Sequence, residues 1–128
     1  MNLLLDTHAL IWWLAGDNSL SGSARDAIAD EANTVLVSAA SAMEIATKFR
    51  IGKLPQAALL AHEFEAIIAD QGFGELPITV HHAKLAGALN IDHKDPFDRL
   101  LIAQAQAEDM VLVSNEQLFD GFAVKRLW

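Results

Sequence analysis

Four carboxylates stand where their type and spacing could do chemistry. Asp6 directly follows the apolar run Leu3-Leu4-Leu5. Glu44 interrupts the apolar stretch Ala42-Met43-Glu44-Ile45-Ala46. Asp95 and Asp98 flank Pro96-Phe97, just ahead of Leu100-Leu101-Ile102-Ala103. Asp6, Glu44 and Asp98 together would form an all-oxygen cluster, the donor set that suits the hard ions Mg²⁺ and Mn²⁺. Such ions activate water and stabilise the leaving oxygen in phosphodiester hydrolysis. Without a cation, three close carboxylates would repel one another and take up protons.

Each acid also has a plainer role open to it. Asp6 can cap a helix, although Thr7 could do the same. Glu44 can close a capping box with Ser41. A helix starting at Ser38 would instead put Glu44 inside it, where burial costs several kcal/mol unless the charge is paired or metal-bound. Asp95 reads as a helix cap, and Asp98 falls in the first turn, where the helix dipole favours an anion. Arg99 is placed to pair with a nearby carboxylate.

Alternating strands and helices must position these residues. Residues 2–6 read as a strand buried on both faces, followed by a helix capped by Thr7 with Leu10, Ile11, Trp13 and Leu14 on its apolar side. Ser21 or Ser23 opens a second helix over about residues 22–32. Thr34-Val35-Leu36-Val37 is a second buried strand, and Ser38 caps a helix over 39–51. Pro55 starts another helix, with Leu59, Leu60, Phe64, Ile67 and Ile68 striping residues 56–71. Residues 74–78 are a poor strand, placed at an edge or strand end by Pro77. Thr79 caps a helix over 80–90, and Pro96 opens one that runs to Glu108. Val111-Leu112-Val113-Ser114 is a strand, Asn115 caps a short turn, and residues 122–126 form a last strand. This is the pattern of an α/β domain with a mainly parallel sheet, one domain over residues 1–128. Open parallel sheets bind ligands beyond the C-terminal strand ends, where Asp6, Ser38, Ser114 and Asn115 fall.

Composition narrows the function classes. The 128 residues are 52% hydrophobic and 20% charged, as in a globular protein. No cysteine is present, which excludes a disulfide framework and thiolate zinc sites. Nine basic against seventeen acidic residues give a net charge of −8, which opposes broad electrostatic affinity for nucleic acid and invites a basic partner. No signal peptide or membrane span is expected, and the chain reads as soluble and cytoplasmic. The five histidines, His8, His62, His81, His82 and His93, form no zinc motif. Glycine-rich dinucleotide and phosphate loops and the Gly-x-Ser-x-Gly elbow are absent too. Adjacent Trp12 and Trp13 predict one ring in the core and one at a surface.

The residues around the acids resemble the PIN-domain ribonucleases, and among them the VapC-like toxins of type II toxin–antitoxin modules. Three stretches carry the resemblance: Leu3-Leu4-Leu5-Asp6-Thr7-His8, Ser38-Ala39-Ala40-Ser41-Ala42-Met43-Glu44-Ile45, and His93-Lys94-Asp95-Pro96-Phe97-Asp98-Arg99-Leu100-Leu101-Ile102-Ala103-Gln104-Ala105. The resemblance implies a three-layer α/β/α sandwich with a mainly parallel central sheet. It implies that Asp6, Glu44 and Asp98 hold Mg²⁺ or Mn²⁺ and that water activated by the metal attacks RNA. Asp95 matches a further acidic position that supports those ligands. A fourth acid often follows the last buried strand; here Asn115 replaces it, or Glu116 is the same acid displaced by one. That difference favours one metal, or a second arriving with the RNA. The resemblance further implies a homodimer and a cognate antitoxin, with DNA contacted only through the antitoxin.

Two other readings remain open at this stage. One is a PIN-like protein-binding module without catalysis, motivated by the altered fourth position. The other is a receiver-type phosphoacceptor, which lacks a suitably placed lysine because Lys125 lies near the terminus.

Overall fold

The computed structural model describes residues 1–128. Five short strands, β1 (Asn2–Leu5), β2 (Thr34–Ser38), β3 (Gly74–Leu76), β4 (Val111–Val113) and β5 (Lys125–Leu127), form one sheet. Their order is β3-β2-β1-β4-β5, and every pairing is parallel. Seven α-helices connect them: α1 (Thr7–Ala15), α2 (Gly22–Ala29), α3 (Ala39–Arg50), α4 (Ala58–His62), α5 (Phe64–Asp70), α6 (Val80–Ala88) and α7 (Pro96–Ala107).

The period-two geometry of a strand explains how the short apolar runs build two cores. Leu3 and Leu5 of β1, with Val35, Val37 and Val113, face a core completed by Leu10, Ile28, Ile45, Leu60, Phe64 and Ile68. Leu4 points the other way and joins Leu101, Ile102, Ala105, Met110, Leu112 and Phe119. The sheet therefore separates α1–α5 on one face from α7 on the other, a three-layer α/β/α sandwich. The direction in which successive strands are added reverses between β1 and β4. β1, β2 and β3 run outward to one side, while β4 and β5 lie on the other.

Several boundaries differ from the sequence expectation. Asp6, not Thr7, caps α1: its carboxylate accepts from the Ala9 N–H at 2.7 Å. That frees the Thr7 hydroxyl to point across to α3. Ser21 is the cap chosen for α2, which ends early at Ala29. The expected helix over 56–71 is a 3₁₀ turn, α4 and α5, with a kink at Glu63 (φ −115°, ψ 32°). No glycine or proline marks that kink, so local propensity gives no sign of it. The last strand starts at Lys125 rather than 122, because Ala123 adopts a left-handed φ of 53° that interrupts extended backbone. Asn115 caps nothing; a 3₁₀ turn over Gln117–Gly121 follows Glu116 instead. Both Trp12 and Trp13 are half-buried, the first packed near Trp128 and the second near Phe73.

A buried polar chain ties the layers together. Ser38, the cap of α3, donates to Gln104 Oε1 at 2.5 Å. The Gln104 amide reaches Pro77 O (3.3 Å) and His82 Nδ1 (3.5 Å). His82 Nδ1 also accepts from the Thr79 N–H, so its Nε2 carries the proton toward Glu108, 2.8 Å away. Gln104→Leu would leave Ser38 without its side-chain partner in a site with no exposure. We expect that substitution to cost about 1–3 kcal/mol. A lower urea midpoint with an unchanged m-value would register it, and an unshifted midpoint would contradict the role given to this chain.

Candidate active site

The C-terminal ends of β1 and β4 flank the point where strand order reverses, the place where an open parallel sheet leaves a crevice. A cavity of 150 Å³ opens there, and no hydrophobic side chain lines it. Asp6 enters from the end of β1, Glu44 from the second turn of α3, and Asp95 and Asp98 from the start of α7. All four candidate residues meet in this one cavity, with Thr7, His8, Lys48 and Glu116 completing its wall. A larger cavity, 760 Å³, lies at the opposite end of the sheet beside Trp13, Thr34 and Phe73. Its two acids, Asp30 and Glu31, are exposed residues of the α2–β2 turn, so size alone does not mark the chemistry there.

Each acid is held by a different local device. Asp6 is only 6% exposed, and it caps α1. Burial pushes its carboxyl up from the ordinary 3.8, against the opposing effect of the nearby Ser114 side chain, the Ala9 N–H and His8. Glu44 sits inside α3 because that helix begins after Ser38, and the Ser41 capping box does not form. Its Oε1 accepts from Thr7 Oγ1 at 2.6 Å, and its Oε2 pairs with Lys48 Nζ at 2.6 Å. Asp95 caps α7 by accepting from the N–H groups of Phe97 (2.9 Å) and Asp98 (3.3 Å). Asp98 pairs with His93 Nε2 at 2.8 Å. Burial is again the main cause raising its carboxyl, opposed by the His93 bond and reinforced by the charges of Asp95 and Glu44.

Arg99 does not pair with a carboxylate as expected. Its guanidinium instead donates to five backbone carbonyls, those of Ala86, Gly87, Leu89, Ile91 and His93. The physical reason is that the end of α6 and the loop after it carry unpartnered carbonyls, and a five-donor fork satisfies them together.

Three residues at this site carry weight that single-residue reading understates. The Thr7 hydroxyl orients Glu44, a role visible only once α1 and α3 are neighbours. Lys48 stands four positions after Glu44, the helical spacing of an ion pair, and that was a usable signal. Glu116, not Asn115, reaches the cavity, because Ser114 turns the chain by accepting from the Glu116 N–H at 3.0 Å.

The donor set fits a hard divalent ion. All the cavity's acids are carboxylates, and the two whose titration is displaced, Asp6 and Asp98, are raised chiefly by burial, a penalty that a bound cation would offset. No three of the chain's acidic and histidine side chains are grouped closely enough to hold an ion as they stand. Asp6, Glu44 and Asp98 are instead each engaged with a protein partner. A Mg²⁺ ion keeps several waters and binds directly to one or two carboxylates, so this arrangement suits it better than a closed cage would.

Comparison with known proteins agrees with this architecture. The PIN-domain family model matches residues 3–125. A chain of VapBC2 from Rickettsia felis, solved bound to a DNA fragment from its promoter, superposes with a TM-score of 0.70 at 15% identity, covering 99% of this chain and 98% of that one. A chain of a toxin–antitoxin complex from Klebsiella pneumoniae gives 0.61 at 16% identity, covering 98% and 96%. A chain of FitAB bound to an IR36 DNA fragment gives 0.56 at 17% identity, covering 98% and 93%. No curated protein sequence matches significantly. With the family model spanning nearly the whole chain, and the acids it was read for gathered at the sheet's reversal point, the chain belongs to the PIN-domain family.

Proposed function

We propose that this protein is a Mg²⁺- or Mn²⁺-dependent endoribonuclease and the toxin of a type II toxin–antitoxin pair. One observation carries the proposal: five carboxylates, Asp6, Glu44, Asp95, Asp98 and Glu116, line one small polar cavity at the sheet's reversal point. Asp6 and Asp98 would hold the ion with Glu44, and Asp95 would support them from the start of α7. Bound there, the ion would supply the positive charge that activates water and stabilises the leaving oxygen in phosphodiester hydrolysis.

The chain's own residues do the rest. The cap bond from the Ala9 N–H aims the Asp6 carboxylate. His93 fixes Asp98, and Thr7 fixes one oxygen of Glu44. Asp6 and Asp98 carry raised pKa values, so their protons must leave for full negative charge, which makes activity rise with pH through that range.

PIN-domain membership supports the nuclease reading. Likeness in fold to chains from toxin–antitoxin complexes supports the toxin reading. A cognate antitoxin that places basic side chains against the acidic cavity suits a chain of net charge −8. A homodimer belongs to the same proposal, and promoter DNA would be contacted only through the antitoxin. The protein is proposed to act in the cytoplasm, where its RNA substrate is found. No helix is long and apolar enough to cross a membrane.

The test is incubation of antitoxin-free protein with total cellular RNA, with Mg²⁺ or Mn²⁺ against chelator and Asp98→Asn in parallel. Metal-dependent fragments that vanish in the variant are expected. Cleavage that survives chelator, or is undiminished in the variant, contradicts the proposal. A second reading, a PIN-like binding module without catalysis, draws on the absence of a preformed three-acid metal group. It predicts no metal-stimulated cleavage together with intact partner binding.

A further inference from the structure

The cavity has one obligate cation of its own. Lys48 lines it among five carboxylates, on the same helix as Glu44. Its ammonium meets Glu44 Oε2 at 2.6 Å. The other oxygen, Oε1, is held at 2.6 Å by the buried Thr7 hydroxyl. The two oxygens of Glu44 are therefore not equivalent. The Thr7 bond is dry and joins two elements. The Lys48 side chain is 36% exposed against 10% for Glu44, and it swings on a four-carbon stem. Water can solvate that ammonium as it leaves, so the pair exchanges at little cost.

We propose that Lys48 competes with the divalent ion for Glu44 Oε2 and, once displaced, binds a phosphate of the RNA. The inference rests on the ribonuclease reading and deepens it by assigning a substrate-binding residue.

Charge and geometry both require such a residue. An RNA phosphate approaching five carboxylates meets like charge, and one divalent ion offsets only part of it. Lys48 is the sole lysine or arginine on the cavity wall; His8 is its only other basic group and stacks on Trp12 at 5.4 Å. A compact ammonium with three rotatable donors can trade a carboxylate oxygen for a phosphate oxygen with no change in backbone. In the metal-free protein the same ammonium holds Glu44 in place and lowers the mutual repulsion of the acids. Ion and lysine would thus occupy Glu44 in turn, which ties exposure of the phosphate-binding group to metal loading.

The test separates the two halves of the inference. Mn²⁺ binding to wild type, Lys48→Met and Asp98→Asn is read by electron paramagnetic resonance, which needs no substrate. Removal of the competing ammonium should tighten Mn²⁺ binding about tenfold in Lys48→Met. KM for a single-stranded RNA probe should rise several-fold in Lys48→Met at saturating Mn²⁺ and largely recover in Lys48→Arg. Unchanged Mn²⁺ affinity in Lys48→Met overturns the competition. Tighter Mn²⁺ binding with an unaltered KM overturns phosphate binding. Absence of Mn²⁺ binding in both wild type and Lys48→Met overturns the metal-dependent reading itself, and Asp98→Asn binding Mn²⁺ as tightly as wild type overturns its site. Lys48→Gln repeats the comparison if circular dichroism shows that Lys48→Met has not folded.

Discussion

Asp6→Asn is expected to lower metal-dependent RNA cleavage by roughly 10²-fold or more, the scale on which deleting one charge-stabilising group at a reacting centre acts. The same substitution should make the metal-free protein more stable at neutral pH. Both effects have one cause. Asp6 is buried, and burial disfavours its ionised form. Asparagine keeps the oxygen that accepts from the Ala9 N–H, and it is as good a cap as aspartate. It removes the charge that burial penalises and replaces the second oxygen by an amide nitrogen.

The sign of the pH dependence follows. The folded-state pKa of Asp6 lies above its ordinary 3.8, so the folded chain binds this proton more tightly than the unfolded chain does. The associated stabilisation is fully present below 3.8 and is lost as pH rises through the raised value. The advantage of Asp6→Asn over wild type should therefore be small near pH 4 and largest above the raised pKa. Thermal melts of the two proteins in chelator across pH 4–8 would show the gap widening. A gap that narrows as pH rises would contradict the burial argument. Added Mn²⁺ should raise the melting temperature of wild type more than that of the variant, because an ion bound only by the folded state stabilises it.

Arg99→Ala is expected to be the most damaging single change outside the cores, at about 2–4 kcal/mol. Every N–H of the guanidinium is used. Nε reaches Ala86 O at 2.9 Å, Nη1 reaches Ile91 O and His93 O at 3.2 and 2.9 Å, and Nη2 reaches Gly87 O and Leu89 O at 3.3 and 2.8 Å. The fork closes the end of α6 and folds the loop that presents His93 and Asp95 beside Asp98. Alanine leaves these partly buried carbonyls unpaired and frees the loop. Lysine cannot rescue, since one ammonium does not reproduce a planar five-donor fork. Urea denaturation should thus place Arg99→Lys close to Arg99→Ala. A lysine variant as stable as wild type would show that charge alone, and not the fork, holds the loop.

These two residues illustrate different degrees of legibility. Asp6 was visible as a carboxylate at the end of an apolar strand. Its capping and candidate metal roles are compatible, since Oδ1 alone accepts the Ala9 N–H and the residue still lines the cavity. Arg99 reads from the sequence as a cation beside acids, whereas its partners are five backbone carbonyls. The carbonyls it serves belong to residues 86–93, and their convergence on one point exists only after α6 and α7 pack. Glu44 falls between these cases. Helix phase after Ser38 put it inside α3, whereas its two partners, Thr7 and Lys48, required respectively a tertiary contact and a helical one.

The sequence by itself determined the alternation of strands and helices and the mainly parallel character of the sheet, and it singled out Asp6, Glu44, Asp95 and Asp98 as candidate site residues. Short apolar runs buried on both faces, separated by capped helices, admit few other layouts, and local hydrogen-bond and periodicity rules act within a few residues. Tertiary structure alone decided strand order, the kink at Glu63, the delayed start of β5, and which atoms face the cavity. Those features depend on contacts between residues far apart in the chain. Gln104 reaches Ser38 across 66 positions, and Thr7 reaches Glu44 across 37. No local window contains both partners of such a bond, so a site built from bonds of this range takes shape only when the layers close.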